Sequence, residues 1–204
     1  MENNFRHLGI SKELDTVLKK NGISKPTPIQ QISIPKILAG KDISGKAQTG
    51  TGKTLAFMLP LFEKIDINKD YTQGLIITPT RELAIQLTEE AKKLTHYKDV
   101  NILAIYGGQD VSKQRKKLKR GVELIIATPG RLLDHLEKET ADLSKIETLI
   151  LDEADEIINM GFLKDVEVII NKTPKSRQTL LFSATMPKDL KRIAHTITNN
   201  PERL

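Results

Sequence analysis

The stretch "AQTGTGKTLAFMLP", residues 47–60, decides how the rest of the chain is read. Gly50 and Gly52 precede Lys53 and Thr54, and an apolar helical run follows. A phosphate-binding loop is built in this order. Its backbone N–H groups curl round the phosphates at a helix N-terminus, where the dipole favours negative charge. In such a loop the lysine reaches the β- and γ-phosphates, and the Thr54 hydroxyl ligates Mg²⁺. The strict G-x-x-x-x-G-K-[ST] pattern fails at one place, where Ala47 stands for the first glycine; an alanine there still permits a tight turn. The competing reading is a glycine-rich turn that happens to contain Gly-Lys-Thr. A small-molecule kinase, a GTP switch and an ATP-driven motor could all open this way.

Working outward, apolar β-rich runs alternate with helical stretches. Strands are expected at 75–78, 102–105, 124–127, 148–151 and 179–182, and helices at 81–94, 111–120, 130–137, 162–171 and 188–196. A further strand is placed at 42–46 because the loop needs one before it, although "DISGK" is a poor strand by composition. Continuous apolar strands alternating with helices predict an α/β fold, a mainly parallel β-sheet flanked by helices on both faces. At 204 residues, one well-buried core is expected, with a helical lead-in.

Composition narrows the classes. Apolar runs such as "LIIA" and "TLLF" suit buried strands, whereas a membrane span needs about 20 apolar residues. The polar, partly acidic start "MENNFRHLGISKELD" is not a signal peptide. With no Cys, disulfides and thiolate metal sites are excluded. A cytoplasmic location is the expectation. The net charge of +6 is compatible with a polyanionic partner without requiring one. The run "KQRKKLKR", residues 113–120, carries six bases and no acid. On a helix, Val111, Gln114 and Leu118 would face inward, and the bases would form either a solvated face or a polyanion contact.

The stretch "TLILDEADE", residues 148–156, supplies the second half of the chemistry. A buried strand ending in Asp152, Glu153 and Asp155 delivers carboxylates to the sheet's C-terminal edge, where open α/β sheets bind ligands. Asp152 suits the Mg²⁺ shell and Glu153 could polarise an attacking water. The plainer alternative is that these acids only start the next helix, where the dipole favours them.

With these residues in place, the chain resembles the DEAD-box ATP-dependent RNA helicases, in particular their N-terminal RecA-like P-loop NTPase domain. "PTPIQ" (26–30) is similar to the Q motif, with Phe5 as its upstream aromatic, and "AQTGTGKT" to motif I. "PTREL" (79–83) matches motif Ia, Gly107 and Gly108 the glycine doublet, and "TPGR" (128–131) motif Ib. "DEAD" (152–155) matches motif II, and "SAT" (183–185) motif III. The resemblance covers nearly the whole chain, and the motifs follow the family's order.

The resemblance implies ATP and Mg²⁺ as cofactors. Gln30 would read the adenine edge, Phe5 would pack on the base, and Thr49, Gly50, Thr51, Gly52, Lys53 and Thr54 would hold the phosphates. Thr54 and Asp152 would bind the metal; Lys53, Asp152 and Glu153 would carry the hydrolysis. Pro79, Thr80, Arg81, Gly107, Gly108, Thr128, Pro129, Gly130 and Arg131 would contact the RNA backbone without reading sequence. Asp155, Ser183 and Thr185 would couple the two sites. Plainer roles stand beside these: a capping box for Gln30, helix caps for the threonines and Ser183, and surface ion pairs for the arginines. The family's second RecA-like domain, with its arginine fingers, has no match here. Residues 1–204 are therefore read as one N-terminal domain with a Q-motif lead-in at 1–30, monomeric and weakly active alone. A phosphotransferase and a non-catalytic RNA-binding module remain the rival classes.

Overall fold

Four apolar residues in succession leave a strand no polar face, so it must be covered on both sides. The computed structural model, which describes residues 4–48 and 50–204, solves this with seven parallel strands between two layers of helices. A 3-10 turn at Phe5–Leu8 leads into α1 (Lys12–Lys20) and α2 (Pro28–Leu38), then β1 (Ile43–Lys46) and α3 (Lys53–Lys64). There follow β2 (Gly74–Ile77), α4 (Arg81–Leu94), β3 (Ile102–Ile105), α5 (Val111–Lys119), β4 (Leu124–Ala127) and α6 (Pro129–Glu137). The chain continues through β5 (Thr148–Leu151), α7 (Ala154–Asn159), α8 (Leu163–Asn171), β6 (Gln178–Ser183), α9 (Lys188–Ile197) and β7 (Glu202–Arg203). The strand order is β3-β4-β2-β5-β6-β1-β7.

Every residue of β2, β4, β5 and β6 is buried. Alternate residues feed opposite layers, as the two-residue period of a strand demands. Ile76, Ile126, Ile150 and Leu180 pack with Phe57, Phe62 and the lead-in residues Phe5 and Leu14. Leu75, Ile77, Ile125, Leu149 and Leu181 pack with Leu132, Ile157, Val166 and Leu190.

The poor strand "ISGK" forms because its neighbours hold it. β1 lies between β6 and β7, in register Ile43↔Leu180 and Ile43↔Glu202. Asp42 staples the arrangement: its Oδ1 accepts the Thr179 N–H at 2.8 Å and its Oδ2 the Asn199 N–H at 2.6 Å. Gly45 leaves room for the Phe182 ring, which a Cβ would meet at 3.2 Å. Asp42→Ala would strand the buried Thr179 N–H, at a cost of about 1–3 kcal/mol, while the N–H of exposed Asn199 can turn to water. A fall in urea stability within that range is expected; an unchanged midpoint would show that water replaces the staple.

The expected strands and long helices are present, with ends displaced by a residue or two. Thr78 falls just outside β2, yet its N–H still donates to Ala127 O. β7 was not anticipated. Two polar residues carry no hydrophobic period, and only pairing with β1 makes them a strand.

Candidate nucleotide site and nucleic-acid interface

Because all strands run parallel, the loops after them share one edge. β5, β6 and β1 are consecutive and bring the acidic turn, the "SAT" turn and the glycine loop together. β3, β4 and β2 are also consecutive and gather the glycine doublet, "TPGR" and "PTREL". The sequence motifs thus fall on two halves of one edge.

In the glycine loop, Gly50 and Gly52 have φ of 81° and 88°, a region L side chains enter at a cost. Ala47 is not among the positive-φ residues, and its N–H donates to Ser183 O at 2.9 Å. No glycine is needed there. Gly52 precedes the first turn of α3, and the Thr51 hydroxyl donates to Gln48 O. Thr49 lies outside the described residues.

Gln30 buttresses this loop. Its Oε1 accepts the Thr27 N–H at 2.9 Å, and its Nε2 donates to Gly52 O at 2.9 Å. The Thr27 hydroxyl faces the first turn of α2 as a capping box requires, but it is buried without a hydrogen-bond partner. The cap is therefore carried by Gln30. Each amide end retains one further hydrogen-bonding position, so capping does not use up its capacity. Phe5 is in the core with no exposed surface, so a base could reach its ring only if the lead-in shifted.

Lys53, at the start of α3, turns inward to the acids. Its Nζ lies 2.9 Å from Asp152 Oδ1 and 3.3 Å from Glu153 Oε1. Burial pushes the Asp152 carboxyl up from its ordinary value, against the pull of the Lys53 ammonium. Glu153 has φ of 52°, unusual for a residue with a side chain, and its N–H donates to Asp152 Oδ1 at 3.0 Å. Such strain costs about 1–2 kcal/mol. The acids also sit at the N-terminus of α7, so the helix-start role is present as well.

Thr54 and Asp152 offer hard oxygen donors, the chemistry Mg²⁺ prefers. Among the described residues, no group of three or more His, Cys, Asp or Glu side chains could hold a metal ion.

The motif III turn does not cap α9, whose N-cap position is Pro187 and which has no side-chain cap. Instead the Thr185 N–H and hydroxyl both donate to Asp155 Oδ2 at 2.8 Å. The Asp155 N–H donates to Ser183 Oγ at 3.2 Å, and the Ser183 hydroxyl donates to Thr185 O. Burial pushes the Asp155 carboxyl up, but the contacts with Ser183 and Thr185 outweigh it and hold the group below the usual range. β5 and β6 are thus bolted together just beyond their ends.

On the other half of the edge, the Thr80 hydroxyl caps α4 by accepting the Leu83 N–H at 3.2 Å, whereas Thr128 makes no side-chain cap to α6. Pro79 and Pro129 are buried; Gly107, Gly108 and Gly130 are exposed. Arg81 lies over the Tyr106 ring, 5.5 Å from its centroid. A Cβ on Gly108 would stand 3.0 Å from Arg81 Nη1, so the doublet lets the guanidinium lie against the turn. Arg131 donates to Gln109 O at 3.1 Å and lies 3.4 Å from Asp134, so its ion pair is real but not its only bond. The sequence reading missed Tyr106 and Gln109, although both flank the glycine doublet in "YGGQ".

On the basic helix, Gln114 is buried as expected, while Val111 and Leu118 are only half-buried. No helix among the described residues is long and apolar enough to cross a membrane.

A family model described as DEAD/DEAH box helicase matches residues 27–193. The chain is 51% identical over 200 residues to the DEAD-box ATP-dependent RNA helicase CshA of Bacillus cereus, covering 98% of this chain and 38% of the relative. It is 50% identical over 198 residues to the ATP-dependent RNA helicase CshA of Listeria monocytogenes, again 38% of that protein. Among solved structures, a DEAD box protein from the hyperthermophile Methanococcus jannaschii superposes with a TM-score of 0.94 at 41% identity. That match covers 98% of this chain and 55% of the other. The parallel sheet with its ordered strand ends is therefore the family's RecA-like fold. Matching the family model over most of its length, the chain belongs to the DEAD/DEAH box helicase family.

Proposed function

We propose that residues 1–204 form the N-terminal ATP- and RNA-binding domain, with lead-in 1–30, of an ATP-dependent RNA helicase. A second RecA-like domain completes it in the whole protein. The chain's span of 38% of its curated relatives supports this division. The carrying observation is the split edge, with Lys53 on Asp152 and Glu153 at one half and Arg81 and Arg131 at the other. The proposed setting is the cytoplasm, with the protein monomeric.

In this reading Gly50, Thr51, Gly52 and Lys53, together with Thr49, hold the phosphates, and Gln30 takes the adenine edge. Thr54 and Asp152 hold Mg²⁺, which would neutralise charge on the β- and γ-phosphates when bound. Lys53 turns from the carboxylates to the phosphate oxygens. Glu153, freed from Lys53, orients a water for in-line attack and takes its proton. Arg81 and Arg131 pair with RNA phosphates, and the exposed amides of Gly107, Gly108 and Gly130 admit close approach. Thr80, Thr128, Pro79 and Pro129 set the helix starts that face the backbone. Asp155, Ser183 and Thr185 hold the acidic turn to β6 and couple the halves. With no arginine finger assigned in this chain, a term worth about 10³–10⁵ in rate, residues 1–204 alone turn over slowly.

Gln30→Glu tests the nucleotide reading. Glu still accepts the Thr27 N–H but loses the donor to Gly52 O and buries a charge, so the melting temperature should fall and the nucleotide preference, not the stability, is the deciding readout. An ionised Glu cannot donate, so one contact to the base is lost. ADP should bind about 5- to 150-fold more weakly, and the preference over GDP should shrink. Calorimetric titrations of both nucleotides decide it, and an unchanged preference leaves Gln30 as a cap only.

A further inference from the structure

His135 is 1% exposed on α6, one turn beyond Arg131, and the proposed chemistry does not use it. Its Nε2 lies 2.8 Å from Gln114 Oε1, and its Nδ1 lies 2.7 Å from Thr140 Oγ1. Gln114, on α5, is 2% exposed. Its Nε2 donates to Gln109 Oε1 at 3.1 Å and to Tyr106 O at 3.3 Å. Both partners are acceptors only, so the Gln114 amide can be oriented in one way, with its oxygen toward His135. His135 must then carry a proton on Nε2; in the neutral imidazole the Thr140 hydroxyl donates to Nδ1 rather than to His135 O, which it also approaches at 3.0 Å. Burial, then the charges of Arg131 and Arg115, keep the imidazole below its ordinary pKa, in keeping with this neutral form.

The network ends at the arginines. The Gln109 amide donates to the Tyr106 hydroxyl, and Gln109 O accepts from Arg131. The Tyr106 ring lies under Arg81. Two arginines on different helices therefore rest on one loop, residues 106–110, and two buried side chains behind it fix that loop. We propose that His135 and Gln114 are positioning residues that hold the 106–110 loop so that Arg81 and Arg131 are pre-aimed at adjacent RNA phosphates. This rests on the reading of those arginines as phosphate contacts. A side chain already ordered loses less freedom on binding, which is worth about 3- to 10-fold in affinity for each.

The test uses the 204-residue chain with three variants. Gln at position 135 can place an amide nitrogen near the Nε2 position and keep the bond to Gln114. Asn reaches only the Nδ1 position and keeps Thr140 alone. Gln114→Met keeps the length and removes every bond. His135→Asn and Gln114→Met should speed hydrogen exchange in residues 106–110 and weaken oligo(U) binding about 3- to 10-fold, read by anisotropy at low salt. His135→Gln should resemble the parent in both measurements, a rescue that general core damage would not give. Arg81→Ala and Arg131→Ala form a separate arm. If they weaken RNA binding while His135→Asn does not, the positioning role is overturned and the phosphate contacts stand. If exchange quickens in His135→Asn but neither arginine variant affects RNA, the contacts themselves are wrong and the functional half of the proposal falls with them. Unchanged exchange in His135→Asn overturns the proposal outright.

Discussion

Asp152→Asn should melt at or above the parent temperature while losing the Mg²⁺-dependent part of ATP binding. Burial raises the Asp152 carboxyl above its unfolded value of about 3.9. The sign follows: the native state holds that proton more tightly than the unfolded chain does. The resulting stability is fully present below the unfolded pKa and is lost as pH rises through the folded pKa. At neutral pH the ionised form is therefore a burden on the fold. Asn has the same shape without the charge, and Lys53 retains Glu153 at 3.3 Å. The cost falls on chemistry, because a neutral amide oxygen is a poorer ligand for a hard dication. In the whole protein, turnover should fall by at least about 10²-fold, as when a preorganised electrostatic partner is removed. Thermal melts with and without Mg²⁺, followed by ATP titrations, check both halves. A melting temperature several degrees below the parent would falsify the stability argument.

Gly52→Ala is expected to disable the nucleotide loop from behind. The new Cβ would stand 2.7 Å from Gln30 Nε2 and 2.8 Å from Thr27 Oγ1, at a backbone φ of 88°. The left-handed conformation alone costs about 1–2 kcal/mol with a side chain. Relieving the contacts requires Gln30 to give up its bond to Gly52 O, or the loop to move off α2. Either displaces the N–H groups that hold phosphate in the proposed reading. ADP affinity should fall about 10- to 100-fold, since roughly 1.4–2.8 kcal/mol of preorganisation is lost. Gly50→Ala is the control, because its φ is 81° but no atom lies within 4 Å of the added methyl. If the two variants bind ADP equally, backbone strain and not the Gln30 contact is the cause.

Much of this site was legible because its residues act through local backbone form. A glycine loop entering a helix, or carboxylates ending a buried strand, announce themselves in a few consecutive letters. β1 was placed only because the loop required it. Asp42 holds it by reaching Thr179 in β6 and Asn199 beyond α9, far along the chain, which no local propensity records. The support for the arginines was illegible for the same reason. Tyr106, Gln109, Gln114 and His135 come from a loop and two helices and meet only through the fold. Motif III showed no chemistry of its own until β6 lay beside β5 and brought Thr185 to Asp155.

If the glycine loop holds phosphate and Thr54 and Asp152 hold Mg²⁺, as proposed, the embrace of Lys53 by Asp152 and Glu153 would make phosphate and metal thermodynamically interdependent. One ammonium neutralises two acids, so a nucleotide arriving alone would break that contact and leave the buried Asp152 and half-buried Glu153 carboxylates bare. A dication arriving alone must displace the ammonium into a loop that offers it no anion. Arriving together, each supplies what the other's binding removes. Linkage then requires reciprocity: whatever factor Mg²⁺ adds to nucleotide affinity, the nucleotide adds to Mg²⁺ affinity. In that reading the ion pair would act as an internal competitor that discriminates against either ligand by itself.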